Sequence, residues 1–244
     1  MYSWSLLDIP FSVRGFLRQL ESIFELENAR IGYTQEDLLF HEGIDLTVEK
    51  GEHAVLVGPC SIGKSAIVKT IMGLLTLWGG SYMAFGRDMK TPSLPLLSYV
   101  RRKIGILPDR GILLEHLTVF ENIALPSRFG TFHSLEKIFT SLEPLIGDFN
   151  LDEIMNEYPS SLSIDQIKKV GIVRAVLNKP DLLILDDPFE GLDDNGVHML
   201  NLTLERVNAA GESTIVIFSR KSREWPLFFK NRYLISPDGV KDIA

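Results

Sequence analysis

The chain has 244 residues, 45% hydrophobic and 23% charged, enough for one large α/β domain with its own core and too few for a second full domain. Its net charge of -7 disfavours sequence-independent binding to nucleic acid, which needs a surplus of Lys and Arg facing phosphates. Cys60 is the single cysteine, so no intrachain disulfide forms and a reducing, cytoplasmic compartment is expected; no run reaches the ~18 apolar residues of a membrane span.

Residues 1–24 read as an N-terminal extension. Val13, Phe16, Leu17, Leu20, Ile23 and Phe24 recur at helical spacing behind Ser12 as cap, with Arg14, Arg18 and Glu21 on the other face, which predicts an amphipathic helix. Such a helix either packs on its own domain or docks to a partner or membrane surface. No small-residue cleavage site follows an apolar leader, so the chain is expected to be neither secreted nor inserted. From residue 25 to 244 one continuous unit is expected. Strands are predicted over 24–31 and 44–48, a turn over 49–52, a strand over 53–57 and a helix over 64–75. A helical pattern over 132–177, interrupted at Pro144, Gly147 and Pro159, predicts a helical subdomain spanning about 110–178. The uninterrupted apolar runs over 181–186 and 213–218 read as buried parallel strands, with a helix over 195–208 between them.

The segment Gly58, Pro59, Cys60, Ser61, Ile62, Gly63, Lys64, Ser65 carries the Walker A pattern, with a strand before it and a helix after it. Its glycines let the backbone wrap an anion, Lys64 can reach outer phosphates, and the Ser65 hydroxyl can ligate Mg2+. The run 182–185 ending at Asp186 has the form of a Walker B strand, whose carboxylate holds the metal through water. Together these predict binding of a nucleoside triphosphate. Cys60 is a passive small loop residue or a thiol made reactive by Lys64.

The order of motifs resembles the ATP-binding cassette (ABC) family over 25–243. Tyr33 stands at the family's adenine-stacking aromatic, unless it is an ordinary strand-end aromatic. Residues 104–109 with 117–122 resemble the Q-loop region, 158–166 the signature, with Leu162, Ser163 and Gln166 retained, and 191–193 the D-loop. Arg174 and Ala175 continue the signature helix. Asp193 either makes a cross-dimer contact or caps the helix after it. The resemblance implies an α/β P-loop NTPase, with a RecA-like core, an antiparallel β subdomain and an inserted helical subdomain. It also implies a head-to-tail dimer that sandwiches ATP between one chain's phosphate loop and the other's signature.

Against that family the chain departs at several positions. Ile164 and Asp165 replace the two signature glycines, and a carboxylate at 165 would repel a phosphate unless turned away or paired with a cation. Asp109 stands for the Q-loop glutamine, as a stronger metal ligand, a mis-set water site or a plain turn residue. Asp187 stands for the catalytic glutamate, about 1.5 Å shorter in reach, which predicts slow hydrolysis. Arg220 aligns with the switch histidine, to neutralise the γ-phosphate as an arginine finger does or to lie as a surface charge. Ala66 replaces the hydroxyl residue that usually follows Ser65, removing one α-phosphate contact.

The resemblance therefore implies the cytoplasmic energy subunit of a membrane transporter, peripheral on the inner face through a transmembrane permease, and dimeric with itself or with another ABC ATPase. Stretches 111–126 and 187–193 look like the ATPases of MCE-type lipid transporters of the Mla kind, which suggests a lipid or hydrophobic cargo; lipoprotein-release and cell-division cassettes are close alternatives. A non-hydrolysing, nucleotide-gated regulatory subunit is a competing reading. Soluble cassette proteins of translation or DNA repair fit less well, for want of a tandem cassette or long coiled-coil insertion.

Overall fold

A computed structural model describes residues 22–130 and 135–243. The predicted N-terminal helix lies outside them except for its last residues, which belong to a strand: β1 spans Ser22–Ile31, so the expected boundary at 24/25 falls inside it. Phe24 and Leu26 are fully buried there, and antiparallel partners on both sides hold them in extended backbone.

Two sheets share one core. The first is antiparallel, in the order β2-β1-β4-β5, with β2 at Ile44–Glu49, β4 at Leu77–Ala84 and β5 at Arg87–Asp88. The second has the order β10-β9-β3-β8-β7-β6 and is parallel from β9 to β6. Its strands are β3 (Ala54–Val57), β6 (Ile104–Leu107), β7 (Leu182–Asp186), β8 (Thr214–Ser219), β9 (Asn231–Ser236) and β10 (Gly239–Asp242). Because side chains alternate along a strand, Leu182 and Ile184 enter the core shared with the antiparallel sheet, while Leu183 and Leu185 enter the core on the other face. A sheet covered on both faces needs apolar residues at every position, which is why β7 reads as an unbroken run.

Helix α1 covers Lys64–Ile71, α2 Leu94–Arg102, α3 Val119–Gly130, α4 Leu135–Asp148, α5 Ile164–Val176 and α6 Asp194–Ala210. Helices α3, α4 and α5 lie between β6 and β7 in the chain, the place expected for an inserted helical subdomain. Helix α1 is four residues shorter than expected. Gly73 adopts φ 62, and the last carbonyls are taken by Tyr82 Oη on Ile71 (2.6 Å) and Arg101 on Met72 and Gly73 (3.0 and 2.9 Å). Pro144 and Gly147 do not break α4 as expected. A proline near the end of a helix removes few backbone bonds, and complete burial of Leu142 with Ile138 outweighs that loss. Pro159 does mark a change, opening a short 3-10 turn at Pro159–Ser161 before α5. Among the described residues no helix is long and apolar enough to cross a membrane.

Candidate functional site

Parallel strands place their C-terminal ends along one edge, and functional groups of such sheets gather there. Here β3, β8, β7 and β6 are consecutive neighbours, so the segments leaving them stand in a row: the phosphate loop, Arg220, Asp187 and Asp109. They line one cleft of about 490 Å³ together with Tyr33, Leu39, Cys60, Ser61, Gly63, Lys64, Ser65, Ala66 and Asp186.

The loop wall has the shape and donors to receive an anion. Ser61 and Gly63 take positive φ (64 and 105), which folds the backbone over the start of α1. Gly63 also has no room for a side chain, since a Cβ would lie 2.7 Å from the ring of buried Phe40. The first turn of α1 has neither a side-chain cap nor an acidic residue, so its amides and the helix dipole are open to a negative ligand. Lys64 is buried and donates to the carbonyls of Gly58 (2.6 Å) and Pro59 (2.9 Å), two of its three donors; the third remains for a phosphate. Of the remaining predicted loop residues, Gly58, Pro59 and Ile62 shape the turn without lining the cleft, and Ile62 packs on the core. Tyr33 is half exposed at the rim, with Lys69 Nζ 5.4 Å from its ring centroid.

Ser65 Oγ donates to Asp186 Oδ2 at 3.3 Å, which brings a hydroxyl and a carboxylate together as the phosphate loop and Walker B strand require. Asp186 is buried, and desolvation first, then the charges of Asp187 and Asp109, push its carboxyl up to about 6; Ser65 and Lys64 pull the other way. A carboxylate so crowded gains from a cation, and two hard oxygen donors suit Mg2+. Among the described residues no group of three or more His, Cys, Asp or Glu side chains forms a metal cage. Two protein oxygens would leave the other positions of such an ion to phosphate oxygens and water.

The opposite wall is occupied by charges paired with one another. Asp187 Oδ1 accepts from the Arg220 main-chain N–H and its Oδ2 from Arg220 Nε, both at 2.7 Å. Arg220 Nη2 forms an ion pair with Asp109. The hydrogen bond to Asp187 raises the pKa of Arg220 further, so it stays charged. In this geometry Asp109 faces a guanidinium, with its main-chain carbonyl accepting from Lys168. Lys168 on α5 is a residue that sequence reasoning missed. It is almost wholly buried; desolvation lowers its pKa, and the charges of Asp109, Asp187 and Asp186 oppose that shift. The only hint in sequence is a lysine on the apolar face of the signature helix, ahead of Val170 and Gly171.

Leu162, Ser163 and Gln166 do not line the cleft of their own chain. Ser163 instead caps α5 in a reciprocal capping box with Gln166, and Ile164 beside it is largely exposed. Asp165 is paired with a cation, Lys169 Nζ at 2.7 Å, and accepts the Asp193 main-chain N–H at 2.9 Å. Asp193 caps α6 through Gly196 N–H and also meets Lys169 at 3.1 Å. Burial works against the charge of Lys169, but Asp165 and Asp193 outweigh it and hold its pKa high.

A family model for the ABC transporter matches residues 41–190. The phosphonates import ATP-binding protein PhnC of Alcaligenes faecalis is 31% identical over 203 residues, covering 80% of this chain and 73% of that protein. The intermembrane phospholipid transport system ATP-binding protein MlaF of Haemophilus influenzae is 27% identical, covering 90% and 83%. In three dimensions the chain is similar to the dimeric ATP-binding cassette MJ0796 in a post-hydrolysis state bound to ADP and Pi, with a TM-score of 0.79, 22% identity, and coverage of 91% and 99%. With a matching family model over more than half its length and relatives this similar, the chain belongs to the ABC transporter family, as one of its ATP-binding cassettes.

Proposed function

We propose that this chain is the ATP-binding, energy-coupling subunit of a membrane transporter, held on the cytoplasmic face by a permease and paired with itself or with a second ABC ATPase. The observation that carries the reading is the loop wall: an uncapped α1 terminus, a lysine with one donor to spare, and Ser65 beside Asp186. Tyr33 offers its ring to the adenine, and Ser65 and Asp186 would hold Mg2+. When bound, Mg2+ neutralises phosphate charge. Ser163 and Gln166 would face the partner's nucleotide across the dimer. A lipid or other hydrophobic cargo is the choice supported by similarity to MlaF, while PhnC is named for the import of a different cargo, phosphonates.

Hydrolysis is slow in this reading, because each Asp187 oxygen already accepts a hydrogen bond from Arg220 and the side chain is one methylene shorter than glutamate. The same pairing favours a second reading, a subunit that binds ATP and signals through dimerisation without useful turnover. The test is fluorescent-ATP binding by the whole chain and by K64A, followed by phosphate release from the chain alone and with its permease and companion subunits. Binding that depends on Lys64, with release slow in the lone chain and rising in the complex, is expected. No binding would defeat both readings, rapid release by the lone chain would defeat slow hydrolysis, and no release in the full complex would select the second.

A further inference from the structure

Three departures from the family pattern, at 109, 187 and 220, look in sequence like separate losses. In space they are one object. They follow β6, β7 and β8, adjacent parallel strands about 4.8 Å apart, so the sheet itself brings the three side chains side by side, with Asp187 in the middle. Arg220 reaches both carboxylates, meeting both oxygens of the adjacent Asp187 through its main-chain N–H and Nε, and Asp109 one strand further on through Nη2. A planar guanidinium can serve two carboxylates at once in this way, which an imidazole with two ring nitrogens cannot do as fully. Asp187 is only 7% exposed at its side chain and adopts φ 44, while its N–H extends the β7–β8 ladder to Phe218 O at 2.8 Å. Its place is therefore fixed by backbone as well as by charge.

The charges around this group make piecemeal change costly. Asp186 lies beside Asp187 and Asp109, and the nearby cations are Lys64, bonded to its own loop, Lys168, bonded to the Asp109 carbonyl, and Arg220. Without Arg220 three carboxylates crowd a site meant for phosphates; with only one carboxylate restored to the family's residue, Arg220 still holds the other. We propose that Asp109, Arg220 and Asp187 form a single clamp that stands in place of the family's water-positioning group, so that the site grips nucleotide and Asp187 is withheld from water. Arg220 is then a positioning residue that acts through the two carboxylates, and the three positions change function only together. This rests on the reading of the cleft as a nucleotide site.

Two measurements on the full chain decide it. In the first, D109Q, D187E, R220H and the triple D109Q/D187E/R220H are compared for phosphate release and fluorescent-ATP affinity. None of the single replacements is expected to raise release above that of the parent chain, and the triple is expected to raise it by about tenfold or more, equivalent to about 1.4 kcal/mol of barrier. A single replacement that gains as much as the triple, or a triple that binds ATP as the parent does without gaining turnover, overturns the clamp. The second is the urea midpoint of the nucleotide-free chain for R220Q, placed in the parent and in D109N/D187N. R220Q is expected to lower the midpoint in the parent and to leave D109N/D187N nearly unmoved; an equal drop in both overturns the clamp even if the triple fails to fold. Because this cycle needs no nucleotide, its failure is distinct from a failure of the parent chain to bind ATP, which would sink the nucleotide reading instead.

Discussion

The two walls of the cleft follow opposite rules. On the phosphate-loop wall the donors are left open: α1 starts without a cap, and Lys64 keeps one of its three hydrogens uncommitted. On the wall formed after β6, β7 and β8, cations and carboxylates satisfy one another, with Arg220 on Asp187 and Asp109, and Lys168 on the Asp109 carbonyl. An open wall binds a ligand that brings the missing charge, whereas a paired wall gains little from one. In the proposed function, binding and cleavage therefore rest on different parts of the site, and the open part keeps more of the family pattern.

Perturbations of each wall separate them. The largest effect is expected from Gly63→Ala, which places a Cβ 2.7 Å from Phe40 at φ 105; strain and overpacking together cost about 2–5 kcal/mol of stability, read as a fall in the urea midpoint. If that variant is as stable as the parent, the loop wall is more plastic than its geometry implies. Lys64→Ala should weaken fluorescent-ATP binding by about tenfold or more, about 1.4 kcal/mol, with a smaller effect on unfolding. On the paired wall, Lys168→Met keeps the buried stem and removes the ammonium from the Asp109 carbonyl and the three nearby carboxylates. A loss of about 1–3 kcal/mol in unfolding free energy is expected, and an unchanged value would show that Arg220 alone balances that wall.

The smallest effect lies behind both walls. His53, beside the start of β3, accepts the Ile215 N–H at Nδ1 (3.0 Å), which leaves Nε2–H to donate to Asn208 Oδ1 (2.9 Å), and it rests on Phe228 and Phe229. Burial lowers its pKa from 6.5, with the Asn208 bond opposing. Because the unfolded chain binds this proton more readily, the folded form is favoured above pH 6.5 and loses that advantage as pH falls below it. Asp186, raised to about 6, takes up a proton in the folded chain over the same range and opposes this loss, so the effect of His53 is read as a difference: from about pH 7.5 to 5.5 the urea midpoint of the parent should fall relative to that of His53→Gln, and the same pH dependence in both chains would assign no acid sensitivity to His53.

Much of this was legible in the residues. The phosphate loop declares itself locally, because its glycine spacing, Lys64 and Ser65 sit between an apolar strand and a helix, and the chemistry needs no distant partner to be recognised. The buried strands β7 and β8 were equally plain, since a sheet covered on both faces leaves no room for a polar alternation. Less was legible where an outcome depended on competition. Pro144 and Gly147 read as breaks, yet α4 runs through both; the burial of Leu142 is invisible until the subdomain packs. The end of α1 at Ile71 was set by Tyr82 and Arg101, which arrive from β4 and α2.

The charged residues divide in the same way. Sequence determined which groups the chain owns and the order in which they leave the strands: a phosphate loop, a Walker B aspartate, and Asp109, Asp187 and Arg220 where a family pattern has other residues. It could weigh them only one at a time. Tertiary structure decided their pairing, because the order β3-β8-β7-β6 sets side by side site groups that are 33 to 121 residues apart in the chain, close enough for charges to act on one another. Pairing at that range is a property of strand order, and no local pattern contains it.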